Sequence, residues 1–569
     1  MRVARRPVLG LLLAAALAFA GCGGDGGPSG PADVTPPTVT ATSPGTDAAG
    51  VAIGASLTAT FSEPMNAGTL SPSTFLLARG TTPVAGSVSY DGGSRRATFA
   101  PGSPLAHSTT YTASLTAEAT DVAGNPLVVH TWSFTTAAPP PPPSGWNAQV
   151  TLGTPRDDFY VDIYGVDVDL NEGGTGIAAW EEDGDTTGTV WVAWYRAGAW
   201  EAAAQLSEAG THAILPRVAL NDAGEAVLAW EVVGHDGAAI VSRTVWARRF
   251  AGGAWTAAVR ISDAPPASYT LYSYRPRAGI DAAGNALVAW DQSDSSGTFP
   301  DGIVASRFAG AGWSAPFQVS SPGIYAAWAD AAVSTDGSAV VVWEQRTSPF
   351  STNIWACIFD GAAWGAPQAI GPADLVDYEW ATRTRVVMDA AGRAFAVWEE
   401  SRTGGNRIGA AWFDPAVPTW SAPATLATSA AITDHLSFPS IATDGSGNAF
   451  AVWQSDVPGG STADGAAARY DGAGGAWAAS SFFETGGDVP YAVAAMDGAA
   501  NGWALYSMSG MKARRDDPAL GWQSVSSVGQ GYATDAEANG SGMVIVGGYN
   551  RYYATTAFLI SARASVYVP

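Results

Sequence analysis

Residues 281–290 read DAAGNALVAW, from Asp281 to Trp290, and the phrase returns as DAGEAVLAW ending at Trp230, DAAGRAFAVW ending at Trp398 and DGSGNAFAVW ending at Trp453. Each copy is a turn, a short apolar run and a tryptophan. Side chains alternate across a strand, so Ala286, Val288 and Trp290 point one way while Leu287 and Ala289 point the other. Neither side is polar. A strand of this kind has to be covered on both faces.

The Trp290 position recurs at Trp180, Trp230, Trp343, Trp398 and Trp453, then in weaker form at Tyr506 and Gly548, with intervals of 50, 60, 53, 55, 55, 53 and 42 residues along the series. A second phrase follows each anchor, a β run leading into a Gly-rich turn and another tryptophan, as in VWARRFAGGAW and VASRFAGAGW. Each repeat therefore holds four strands, and packing such sheets face to face around an axis covers both sides of every anchor strand. The expectation is an all-β chain ending in a β-propeller over residues 146–569. The segment after Gly145 reads as a fourth strand without the first three, and the C-terminal runs read as strands lacking a fourth. Pairing residues 146–152 with the C-terminus would close a ring of eight blades. Gly548 in the last anchor position leaves seven blades plus an appendage as the alternative.

Residues 34–137 differ in rhythm. Short alternating runs such as SLTATF, TYTASLTA and HTWSFTT are separated by turn residues every 8 to 12 positions, which predicts an antiparallel sandwich. With Pro36-Pro37, Phe61-Ser62-Glu63-Pro64-Met65, Tyr111, the turn Asp121–Asn125 and Trp132-Ser133-Phe134, the segment resembles the bacterial Ig-like domains of the SbsA type. The resemblance implies a non-catalytic spacer or adhesion module. Asp33, Glu63 and Asp121 read either as turn and cap residues or as ligands of a calcium ion. Five consecutive prolines, 139–143, make the linker 138–145 a stiff strut.

At the N-terminus, Arg2, Arg5 and Arg6 precede an apolar run from Val8 to Ala20, then Gly21-Cys22. The run is too short for a permanent span and reads as an export signal over 1–22. The small residues before Cys22 resemble a bacterial lipobox, with Phe19 where Leu is usual. That resemblance implies lipidation of Cys22, with Gly23 pointing to the outer membrane, and residues 23–33 as a flexible tether.

The balance of 51 acidic against 28 basic residues, net charge −23, repels nucleic acid and excludes it as a partner. Two cysteines, Cys22 and Cys357, leave no disulfide if Cys22 is modified. The five histidines, His107, His130, His212, His235 and His435, show no metal-ligand spacing, and Cys357 lies in an apolar run.

Candidate site residues come from the repeat. After the anchors stand Glu181, Glu231, Asp291, Glu344 and Glu399. They read either as partners of arginines such as Arg217, Arg277 and Arg385, or as a cation- or sugar-binding ring to which Tyr272, Tyr274, Tyr325 and Trp328 add stacking faces. The DxxG turn reads as a hairpin device and is similar, with a longer Asp-to-Trp spacing, to the Asp boxes of sialidase-like (BNR-type) propellers. The functional expectation is a monomeric, membrane-anchored surface protein without a cofactor, binding a glycan, surface polymer or protein. A polysaccharide hydrolase or lyase and a structural envelope component are the alternatives.

Overall fold

The computed structural model describes residues 33–569 apart from 107–108, 138–144, 154–155, 158–164, 183–186, 238, 266–269, 295–300, 311, 430–434, 457–462 and 555–556. The expected export signal, Cys22, nearly all of the tether, His107 and most of the proline linker lie outside the described residues. The chain forms two compact units that divide between Pro140 and Pro141. Among the described residues no helix is long and apolar enough to cross a membrane.

The N-terminal unit is a sandwich of a four-stranded and a five-stranded sheet. Alternation decides its core: in Leu57–Phe61, Leu57, Ala59 and Phe61 are buried and the threonines between them are not. Phe75 packs against Phe99 and Trp132 at 5.7 and 5.9 Å between ring centres. The Tyr111 hydroxyl closes a loop by accepting from the Ala106 amide at 2.9 Å.

The second unit repeats one antiparallel sheet. Among the described residues the first strands of successive sheets are Asp167–Leu170, His212–Leu220, Leu271–Ile280, Ala326–Val333, Trp380–Met388, Leu436–Thr443, Ala492–Met496 and Tyr532–Ala538. We number these blades 1 to 8. Each first strand pairs with the anchor strand, which pairs with a third strand bearing the short outer pieces. Blade 8 takes its outer pieces from the start of the unit: Gly145–Trp146, Val150–Thr151 and Arg156–Asp157 all run antiparallel to Ala557–Val568. The chain thus closes its own ring, as the unpaired ends of the sequence predict.

The two-faced apolar strands do what their pattern requires. Val288 and Trp290 join Val227 and Ala229 of blade 2 in one core, while Leu287 and Ala289 join Val341 and Trp343 of blade 4 in the next. The same arrangement fills every seam, including the last, where Ile545 and Val566 of blade 8 meet Ala178 and Trp180 of blade 1. All six anchor indoles are at most 1% exposed. Four of them donate their indole N–H to the residue two positions on, Glu182, Gln292, Gln345 or Glu400, at 3.0 to 3.4 Å. Trp230 and Trp453 are followed there by Val232 and Ser455, and their buried N–H groups have no acceptor among the described residues. At the eighth anchor position a Cβ on Gly548 would collide with the Tyr532 carbonyl, so no larger residue fits.

The DxxG segments are turns. Asp281 Oδ1 accepts from the Asn285 amide at 2.7 Å, and Gly284 takes φ +78°. Where the first residue is Asn, its amide group also reaches the next blade: Asn539 donates to Asn171, Asn171 to Asn221 and Asn221 to Asp281, each to the backbone carbonyl.

Candidate ligand-binding face and central channel

At the start of their first strands, blades 2 to 6 share a register shift. There a non-glycine residue adopts the left-handed conformation: Leu215, Arg275, Trp328, Arg383 and Phe438, with φ between +52° and +58°. This conformation is costly for a residue with a Cβ and persists only when its surroundings hold it. What holds it is the acid after the anchor in the preceding blade. Glu181 accepts from the Leu215 amide. Glu231 accepts from Arg275 at 3.3 Å, Asp291 from Trp328 and Ala329 at 2.9 and 3.0 Å, and Glu344 from Arg383 at 2.8 Å. The Phe438 amide lies close enough to Glu399 to lower its carboxyl pKa.

These five acids therefore form a ring, but one turned inward to the backbone. Glu181, Glu231 and Asp291 are almost wholly buried and Glu344 nearly so. Burial pushes the carboxyls of Glu231, Asp291, Glu344 and Glu399 up, and the arginine paired with Glu231, Asp291 and Glu399 pulls them back. Those partners are Arg243 on Glu231 at 2.6 Å, Arg275 on Asp291 at 3.0 Å and Arg383 on Glu399 at 2.9 Å. They are not the arginines expected from sequence. Arg217, Arg277 and Arg385 stand two residues beyond the bulge, and the extra residue turns them toward the ring axis.

On that axis lies a cavity of about 1090 Å³ lined by the first strands. At one level of register, opposite the residue before each anchor, blades 1 to 8 present Asp167, Arg217, Arg277, Asp330, Arg385, Ser440, Val493 and Asp535. Three arginines face three aspartates. Arg277 Nε lies 2.9 Å from Asp330, and Arg217 Nη1 lies 3.7 Å from Asp167. The short polar residues also staple neighbouring blades: Asp167, Asp330, Ser440 and Asp535 each accept the amide of the following blade, from Val218, Val386, Ala494 and Val168. Desolvation lowers the pKa of Arg217 and Arg385.

Two residues further along their strands, Asp169 and Glu537 join Asp167 and Asp535 at the seam of blades 8 and 1. Burial, opposed by backbone hydrogen bonds and reinforced by the neighbouring carboxylates, raises Asp169 to about 7. Asp535 and Glu537 are raised for the same reasons.

Around one end of the cavity the left-handed residues meet exposed rings. Arg383, Phe438, Tyr491, Tyr532 and Tyr549 belong to the cavity wall. Outside it, Tyr325 and Trp328 are 45% and 53% exposed, and Phe350, Tyr378 and Trp380 are exposed on the same blade-4 and blade-5 segments. Phe350 stacks on Tyr378 at 4.9 Å, and the Arg346 guanidinium covers Tyr325. Tyr274 and Tyr272 are only half-buried; Tyr272 donates its hydroxyl to the Ile240 carbonyl at 3.1 Å. Thus Tyr325 and Trp328 of the expected stacking set lie open, Tyr272 ties blade 3 to blade 2, and Tyr274 lies half-buried under the Arg275 guanidinium. The rings of Phe350, Tyr378, Trp380 and Phe438 escaped the sequence reading. The Pro after Leu215, Arg275 and Phe438 was the available signal for the bulge.

Elsewhere, His212 and His235, apart in sequence, stack with Nδ1 and Nε2 2.7 Å apart. Asp33, Glu63 and Asp121 converge, with one oxygen from each within 4.8 Å of the others. Both Asp121 oxygens accept from Asn125, the turn geometry expected of it. Cys357 is buried and its thiol is pushed up to about 12, where it stays protonated.

Residues 33–136 match the bacterial Ig-like domain family. No curated protein matches the sequence. Among solved structures, a protein of unknown function from Dyadobacter fermentans is similar at 14% identity, covering 64% of this chain and 97% of its own with a TM-score of 0.37. The Hadza microbial sialidase Hz136 is similar at 12% identity over 72% and 92% of the two chains, TM-score 0.34. A polysaccharide lyase of family PL25, an ulvan lyase, is similar at 10% identity over 67% and 96%, TM-score 0.40. At these values none of the similarities bears on what this chain binds.

Proposed function

We propose that this chain is a cell-envelope lipoprotein that presents its propeller as a non-enzymatic glycan-binding module. The observation that carries the reading is the concentration of exposed aromatic rings, interleaved with Arg275, Arg346 and Arg383, at one end of the ring cavity. Flat apolar rings beside fixed donors are what a sugar ring needs, one to cover its C–H face and the other to meet its hydroxyls. Cys22 carries the lipid and the outer membrane is its destination.

Binding of the purified chain to a saccharide array tests the ligand class, and binding that survives Trp328→Ala and Phe438→Ala together would remove the assigned face. Labelled palmitate incorporated by the native chain and lost in Cys22→Ser tests the anchor.

A hydrolase or lyase is the second reading, favoured by Asp169 and Glu537 lining the cavity with raised pKa values. Against it, both Asp169 oxygens are occupied by the amides of Leu170 and Leu220 at 2.7 Å. Polysaccharide cleavage abolished by Asp169→Asn and by Glu537→Gln would favour the enzyme.

A further inference from the structure

The binding face contains the same three-residue unit twice. In blade 3, Asp291 pairs with Arg275 at 3.0 Å and also accepts the amide of Trp328 in blade 4, while the Arg275 guanidinium lies 3.7 Å from the centre of the Trp328 ring. In blade 5, Glu399 pairs with Arg383 at 2.9 Å and has the amide of Phe438 in blade 6 beside it, while the Arg383 guanidinium lies 4.5 Å from the Phe438 ring. One acid thus fixes both the backbone under an aromatic ring and the cation against it. Each ring is held before any ligand arrives, which removes an ordering cost from binding. The other bulges lack the unit: Leu215 has no ring, and at Arg275 and Arg383 the left-handed residue is itself the arginine.

The doubling and the charge state are both informative. The two rings occupy equivalent places two blades apart, Phe438 on the cavity wall with Tyr491 5.0 Å away, Trp328 outside it. Both guanidiniums are already neutralised by their acids, and in the channel below three arginines face three aspartates. Arg346, over Tyr325, is left as the cation of this face with no acid partner among the described residues, and the net charge of −23 on the chain weighs against a polyanion.

We infer that the two units act together on one uncharged polysaccharide chain, which lies across the cavity mouth with one sugar ring on Trp328 and another on Phe438. The inference rests on the glycan reading above. Two linked contacts on one ligand raise its affinity only when the ligand spans both.

The test uses the whole chain against immobilised β-glucan, xylan, galactomannan and dextran, and against alginate, polygalacturonate and hyaluronan. Tri- and decasaccharides of whichever chain binds are then titrated. The expected result is binding to a neutral polymer, at least about ten-fold tighter for the decasaccharide than the trisaccharide. Trp328→Ala or Phe438→Ala alone removes that gain, Trp328→Tyr and Phe438→Tyr retain most of it, and melting temperatures stay unchanged. Preference for a polyanion, equal affinity for short and long chains, or a gain that survives either alanine variant overturns the two-unit inference and leaves glycan binding standing. No binding to any member of the panel overturns both.

Discussion

Six blades of the ring carry a tryptophan anchor and two do not. In blades 1 to 6 the indole fills a seam, and in blades 1 to 5 an acid beside it clamps the next blade's bulge. In blade 7 the anchor is Tyr506, whose hydroxyl donates to Glu484 at 2.8 Å, and the clamp shrinks to Ser507, whose hydroxyl accepts the Ala533 amide at 3.2 Å. In blade 8 the anchor is Gly548. The last seam keeps Trp180 of blade 1 in its core and adds polar staples to it: Asp535 and Thr534 take the amides of Val168 and Val166, and Glu172 takes that of Gly540. The apolar motif sets the repeat, and the motif loosens where the two ends of the chain meet.

The sharpest way to break this contrast is in the anchors. Trp290→Ala should destabilise the propeller by about 3 to 5 kcal/mol, the usual cost of emptying a large aromatic site. Tyr506→Phe, which removes only a hydroxyl, should cost about 1 kcal/mol. Denaturant melts of the two variants make the comparison. The clamps come next. Asp291→Ala leaves Arg275 and two amides unanswered and should cost about 3 kcal/mol, against about 1 kcal/mol for Ser507→Ala.

The closing seam should also respond to pH. Folding raises Asp169 to about 7 and lifts Asp535 and Glu537 in the same direction. Groups raised on folding give their full stabilisation below the unfolded carboxylate range and lose it as pH rises through the folded value. The Val166 and Val168 amides should therefore exchange more readily at pH 8.5 than at pH 5.5, after correction for intrinsic rates. Asp169→Asn with Glu537→Gln should flatten the difference. Unchanged seam protection across that range would contradict it. The smallest effect is a gain: Val232→Gln gives the orphaned Trp230 N–H the acceptor that Gln292 gives Trp290, and should stabilise by about 1 kcal/mol, read as a raised melting temperature.

Much of this architecture is written locally. Alternation in ALVAW fixes two covered faces, and the unmatched strands at the two ends of the unit imply closure. The site is less legible because it depends on one backbone event per blade. A single inserted residue in the first strand turns Arg277 toward the axis and leaves Arg275 against Trp328, an outcome that counting from the anchor does not reveal. Glu231 and Asp291 read equally well as open ligands or buried clamps, since their exposure is decided by the next blade. Phe438 and Tyr378 carry no repeat signature and meet the cavity mouth or its rim only once the ring is closed.

Closure by the segment after the proline linker is the claim on which the rest depends, and a cross-link tests it most directly. Thr151 and Arg563 are paired across the final sheet with their side chains in contact. A Thr151→Cys, Arg563→Cys variant should oxidise to an intramolecular disulfide, joining the two peptides in a non-reducing digest and raising the melting temperature. Thiols that remain free under the same oxidation, in a folded protein, would contradict the closed ring.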